Sequence, residues 1–107
     1  MVIRQRPRRP TLYDKTTSLD REWDEGNERE LAQHRIMPTE VYQVFENGPK
    51  WAPNMRHNAG DWKTMGKTSG GRRLTIVVRF YEDRAVLRPI TGWETTVGER
   101  ARYFEGR

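Results

Sequence analysis

The chain has 107 residues, 20 Lys or Arg against 15 Asp or Glu, and only 34% of its residues in the apolar set. That supports one domain with a small core, while four Trp, four Tyr and three Phe are too many aromatics for a chain disordered throughout. Two His and no Cys exclude a disulfide framework and thiolate zinc sites, so no metal or cofactor is expected. No apolar run approaches the roughly 18 residues of a membrane span. The basic N-terminus has no apolar segment behind it, so a cytoplasmic protein without a membrane partner is expected.

Charge divides the chain into three blocks. Residues 1–18 carry a net charge of +4, with Pro7 and Pro10 and few large apolar side chains, and read as a disordered basic arm. Residues 19–48 carry −5 and residues 49–107 carry +6, so an acidic half precedes a basic half within one domain, 19–107. A basic surface attracts polyanions, of which nucleic acid is the commonest in a cytosol. A solvated, salt-bridged surface is the plain alternative.

In chain order, Asp24 or Asn27 can cap a first helix running to about His34. A second begins near Pro38, buries Val41, Val44 and Phe45, and stops at Asn47-Gly48. Extended segments follow at about 51–57, 61–68, 72–81 and 84–91, separated by Asn58-Ala59-Gly60, Ser69-Gly70-Gly71 and Glu82-Asp83. They read as a four-stranded antiparallel meander. Thr96-x-x-Glu99 has the spacing of a capping box, and Val97, Ala101 and Phe104 recur at helical spacing, so a C-terminal helix closes an α+β fold.

Alternation along strands assigns the faces. Leu74, Ile76, Val78 and Phe80, joined by Met65, Ala85, Leu87 and Pro89, form the face that helices must cover. The other face gathers Trp62, Thr64, Arg73, Thr75, Val77, Arg79, Tyr81, Arg84, Val86, Arg88 and Ile90, a mixture suited to binding. With Tyr81 opposite Arg84, Arg79 and Arg88 lie diagonally about 7 Å apart at Cα, close enough to grip one phosphodiester. Glu82-Asp83 lacks the Gly of a two-residue turn, so a four-residue loop is expected, taken to keep this register.

Few local patterns carry chemistry. Gly66-Lys67-Thr68 is no phosphate loop, because Asp61 stands where that motif needs Gly and a strand follows instead of a helix. His34 reads as a helix-end cation before a general base, and His57 has no identifiable partner. Glu99, Arg102 and Tyr103 form one neighbourhood by helical spacing, either a wet ion pair or an acid, a cation and a phenol able to act on a phosphoryl group. Trp23 reads as a core anchor, whereas Trp62 could stack a base.

Trp23-Asp24-Glu25-Gly26-Asn27, Leu31 to Ile36, Pro38-Thr39-Glu40-Val41 and Val44-Phe45 resemble the opening motifs of the BrnT-like toxins. Gly71 to Val78 resembles that family's GRxLxVVV strand, and Arg88-Pro89-Ile90-Thr91 with Glu99 to Tyr103 resembles its close. The likeness spans about residues 20–105 and implies a RelE-like fold. It also implies a metal-independent endoribonuclease that blocks translation, acting on mRNA with or without the ribosome, and a cognate DNA-binding antitoxin. By position it implies Arg72, Arg88, Glu99, Arg102 and Tyr103 as the catalytic set. Lys67, Arg73, Arg79, Trp62 and Trp93 join them as candidate RNA contacts. Gly92-Trp93 stands where the family carries a further Arg, and Arg35 stands where it has Gly. The alternative on the same scaffold is a non-catalytic module that binds nucleic acid or an antitoxin-like partner.

Overall fold

The structure, a computed structural model, describes residues 20–54 and 62–105; the basic arm 1–18 and His57 lie outside them. Helix α1 spans Glu25–Gln33. Its cap is Asp24, whose carboxylate accepts from the Asn27 N–H at 3.2 Å while the Asp24 N–H donates to Asn27 Oδ1 at 2.8 Å. Asn27 is buried, and its Nδ2 donates to the carbonyls of Glu22, at 2.9 Å, and Pro89, at 2.7 Å. One amide thus ties the incoming chain and the helix to the sheet.

The helix ends in a Schellman motif, with the Arg35 N–H donating to Ala32 O and the Ile36 N–H to Leu31 O. This reversal puts Arg35 at φ 62, a left-handed position that favours Gly, and returns Ile36 to the core. Helix α2, Pro38–Glu46, starts on proline with the Met37 N–H donating to Glu40 Oε1, and ends before Gly48 at φ 68. As expected, it buries Val41, Val44 and Phe45.

The sheet comprises β1 (Asp20–Arg21), β2 (Lys50–Pro53), β3 (Trp62–Lys67), β4 (Arg73–Tyr81) and β5 (Val86–Glu94), in the order β1-β5-β4-β3-β2. The last four form the expected antiparallel meander. β1 was not anticipated; it lies parallel to β5 at Val86 and Leu87, and two residues leave no alternation to read. Leu31, Ile36, Val41, Val44 and Phe45 pack on one sheet face against Leu74, Ile76, Val78 and Leu87. With each such side chain worth about 1.5–3 kcal/mol, this modest core is the main source of stability.

The faces of β3 are the reverse of the expectation. Trp62 pairs with Val78 and Thr64 with Ile76, so Trp62, Thr64 and Gly66 lie under the helices while Lys63, Met65 and Lys67 face the other way. Lys67 pairs with Arg73 across residues 68–72, a connection of odd length that turns at Gly71, φ 92. The expected separation 69–71 has the same odd parity, so setting Met65 beside Leu74 did not follow from it. Gly66 belongs on the helix side because a Cβ there would stand 3.1 Å from Pro49 Cβ and 3.2 Å from Val44 Cγ1.

The β4–β5 loop is Glu82–Ala85, with Ala85 exposed at φ 53 instead of beneath the helices. Tyr81 therefore faces Val86, and Arg79 lies directly across from Arg88, not diagonal to it. A β-bulge follows. Val78 pairs with Pro89 but Val77 with Thr91, so Ile90 is an extra residue. Beyond it Gly92 turns to the helices, where a Cβ would come within 2.8 Å of Thr75 O and 3.3 Å of Ile36 Cδ1.

Helix α3, Val97–Arg100, has the expected Thr96–Glu99 box and continues as a π-helical turn over Ala101–Glu105. Val97 is 83% exposed and Ala101 is exposed too, against the expectation that both enter the core. The wider π turn breaks the i, i+4, i+7 stripe. This segment instead lays Glu99, Tyr103 and Phe104 on the open sheet face, against Thr75, Lys63 and Arg73. No helix among the described residues is long and apolar enough to cross a membrane.

Two substitutions test these ties. Arg35→Gly relieves the left-handed strain at the cost of unfolded-state entropy, and should raise stability by up to about 1 kcal/mol in urea denaturation. Asn27→Ala, which strands two carbonyls and breaks the cap, should lower it by about 2–3 kcal/mol in the same measurement.

Candidate functional site

The open face is where side chains of differing chemistry converge, and Glu99 is their centre. Its Oε1 accepts from the Thr96 N–H at 3.0 Å, the Thr75 hydroxyl at 2.9 Å and the Trp93 indole N–H at 3.1 Å. Oε2 has longer contacts, 3.4 Å to Trp93 Nε1 and 3.8 Å to Lys63 Nζ. The Lys63 ammonium also lies 5.7 Å from the Tyr103 ring centre, and the Arg102 guanidinium 5.6 Å from it. The Glu99 and Lys63 side chains are only 14% and 19% exposed, so their charges interact with little water between them. Burial pushes the Glu99 carboxyl up, but the Thr96 N–H, Trp93, Thr75 and Lys63 together hold it below its ordinary range. It is ionised at neutral pH.

Of the residues singled out from sequence, Glu99 and Trp93 therefore meet, Tyr103 is linked to them through Lys63, and Arg102 stands against the Tyr103 ring. Arg72 does not join them. It sits at the helix-side end of the sheet, where Nη1 donates to both Glu40 oxygens at 2.9 Å and to Arg35 O at 2.9 Å, and Nε to Glu94 at 3.1 Å. Hydrogen bonding to Glu40 above all raises its pKa further. Arg72 fastens the start of α2 to the β4 and β5 ends.

Arg88 lies on the open face beside Arg79, at the end remote from Glu99. Its guanidinium is drawn into a fork with Asp24, at 3.0 and 3.2 Å, and reaches Glu22 at 3.4 Å. The Arg88 hydrogen bond, followed by the Asn27 N–H, lowers the Asp24 pKa. Arg84 stands 3.6 Å from the other Glu22 oxygen, so the acidic entry to α1 meets the basic sheet edge. The expected guanidinium pair gripping one phosphodiester is thus replaced by an Arg88 engaged with carboxylates.

Trp62 is 3% exposed within the helix-side core and cannot stack a base. Trp23 is the expected anchor, its indole N–H donating to the Tyr42 hydroxyl at 2.8 Å. Lys67 and Arg73 face one another at the far end of β3 and β4, with the Arg73 guanidinium 5.7 Å from the Phe104 ring centre. His34 ends α1, its Nε2 3.4 Å from Glu30 Oε2. No group of three or more His, Asp or Glu side chains among the described residues could hold a metal ion.

Sequence reasoning missed Lys63. The face assigned to Met65 hid it, and the odd separation of the β3 and β4 segments, Ser69-Gly70-Gly71, was the signal that could have revealed it.

Glu99, depressed in the folded state, contributes stability that is complete above the ordinary glutamate range and disappears as pH falls through its lower folded value. Glu99→Gln should cost about 1–2 kcal/mol at neutral pH. Parallel denaturant titrations should show the gap between parent and variant closing towards acid pH; a constant gap would contradict an ionised, donor-held carboxylate.

No protein-family model and no curated protein matches this chain.

Proposed function

We propose that the protein is a metal-independent endoribonuclease of the toxin type, acting in the cytoplasm and neutralised by a cognate antitoxin. The observation that carries this reading is the succession, on one sheet face, of the ionised Glu99 carboxylate, the Lys63 ammonium, the Tyr103 phenol and the Arg102 guanidinium, each beside the next. The motif likeness to the BrnT-like toxins and the +6 charge of residues 49–107 support it. In this reading Lys63 and Arg102 neutralise a phosphodiester. The ribose 2′-oxygen attacks phosphorus as its proton passes to Glu99 Oε2, and the 5′-oxygen leaves with a proton from Tyr103. The products are a 2′,3′-cyclic phosphate and a 5′-hydroxyl, and solvent returns Glu99 and Tyr103 to their starting states. Arg72 and Arg88 act through the fold and the surrounding field, since carboxylates hold their charges. Trp93 supports Glu99 through its indole N–H.

A second reading, a non-catalytic module binding nucleic acid or an antitoxin-like partner, draws on the three donors at Glu99 Oε1, which suit a structural carboxylate. Cleavage separates the two. Purified protein incubated with RNA in EDTA should yield 2′,3′-cyclic ends, and Tyr103→Phe and Glu99→Gln should each slow this by about 100-fold or more. No cleavage by the parent, or equal cleavage by folded variants, would leave only the binding module.

A further inference from the structure

Where α2 stops, a groove of about 660 Å³ opens at the end of the sheet, lined by Asn47, Lys50, Lys67, Thr68, Ser69 and Phe104 among others. Its walls are tied together: Asn47 Nδ2 donates to Lys67 O at 2.9 Å, and the Ser69 N–H donates to Gln43 Oε1 at 3.0 Å. Lys50 pairs with Met65 and Lys67 with Arg73, so both lysines stand on the open side of the sheet. Arg73 covers one side of the Phe104 ring, and the remainder lines the groove. The groove and the Glu99 cluster draw on neighbouring residues of the same segments. Phe104 follows Tyr103 in the chain, and Lys67 lies four residues along β3 from Lys63, roughly 13 Å by strand rise.

A groove lined by an aromatic ring and two lysines matches a nucleobase joined to a phosphate. Stacking accepts any base, and the cations follow the backbone. An acidic peptide would use the lysines and leave the ring without a role. Building on the reading of the Glu99 cluster as an RNA-cleaving site, we propose that this groove is a separate subsite. It holds a nucleotide flanking the scissile phosphate, with the base on Phe104 and the phosphate between Lys50 and Lys67.

The test uses an oligoribonucleotide of about eight residues whose 2′-hydroxyls are methylated, so that it binds without being cleaved. Fluorescence anisotropy of the whole chain should show Lys50→Ala/Lys67→Ala weakening binding about tenfold and reducing the log–log salt slope by about 1.4, or 0.7 per cation. Phe104→Leu keeps apolar bulk but loses the ring, and should weaken binding about tenfold. Circular dichroism confirms that each variant is folded, and the exposed lysine pair carries the test should Phe104→Leu melt early. Parent-like affinity and salt slope in the lysine variant would overturn the subsite. So would a Phe104→Leu variant that binds normally while the lysine variant loses polyglutamate and oligonucleotide alike, which marks an acidic-protein surface. Cleavage by the parent with groove variants binding normally rejects the subsite and keeps the nuclease. Weakened binding with no cleavage by the parent does the reverse.

Discussion

The two-residue period of β4 is the constraint on which this architecture depends. Leu74, Ile76, Val78 and Phe80 give the helices a face to bury, and the residues between them, Arg73, Thr75, Val77 and Arg79, are committed by the same backbone to the opposite side. Gly66 and Gly92 keep this division workable. At Gly92 a Cβ would meet the Thr75 carbonyl oxygen at 2.8 Å, and at Gly66 it would press on Pro49 and Val44 at 3.1 and 3.2 Å. With α1 and α2 packed on one face, the C-terminal segment takes its place on the other. It is held there by Glu99 and the aromatic pair Tyr103 and Phe104 instead of by an apolar stripe.

Net charge overstates how much of the basic surface is at the disposal of a ligand. Arg72 answers Glu40 and Glu94, while Arg88 answers Asp24 and Glu22, so much of the attraction between the acidic and basic halves is spent inside the molecule. These partly exposed pairs contribute modestly to stability, but their forked geometry fixes the entry of both helices relative to the sheet. Two other cations stand where β3 and β4 run beneath the C-terminal segment: Lys63 near the Tyr103 ring and the Glu99 carboxylate, and Arg73 near the Phe104 ring.

Local chemistry was legible in the sequence and long-range register was not. Asp24, Pro38 and Thr96 announce helix starts because capping acts over three or four residues, and the Val41, Val44 and Phe45 stripe announces what α2 buries. The faces of β4 follow from its own alternation. Those of β3 depend on the parity of the connection to β4, which is odd in the expected and the observed bounds alike and sets Trp62 in the core and Lys63 out of it. Val97 misled because the helix period changes to a π turn after Arg100. The partners of Arg72 and Arg88 lie 22–66 residues away along the chain, beyond what spacing can reveal. The grouping of Glu99, Arg102 and Tyr103 was readable, since all three lie within one stretch of helix.

The bulge at Ile90 bears on how this chain tolerates changes of length. A straight ladder through the same residues would set Trp93 opposite Leu74, beneath the helices, and Gly92 opposite Thr75. The extra residue is what delivers the indole to Glu99. Losing one residue between Pro89 and Thr91 would unkink the strand and leave both partners where they are. Gaining one there with the single-residue bulge kept, or losing one from β4, would exchange the faces of everything beyond. Insertions and deletions in this hairpin are therefore filtered by parity as well as by size.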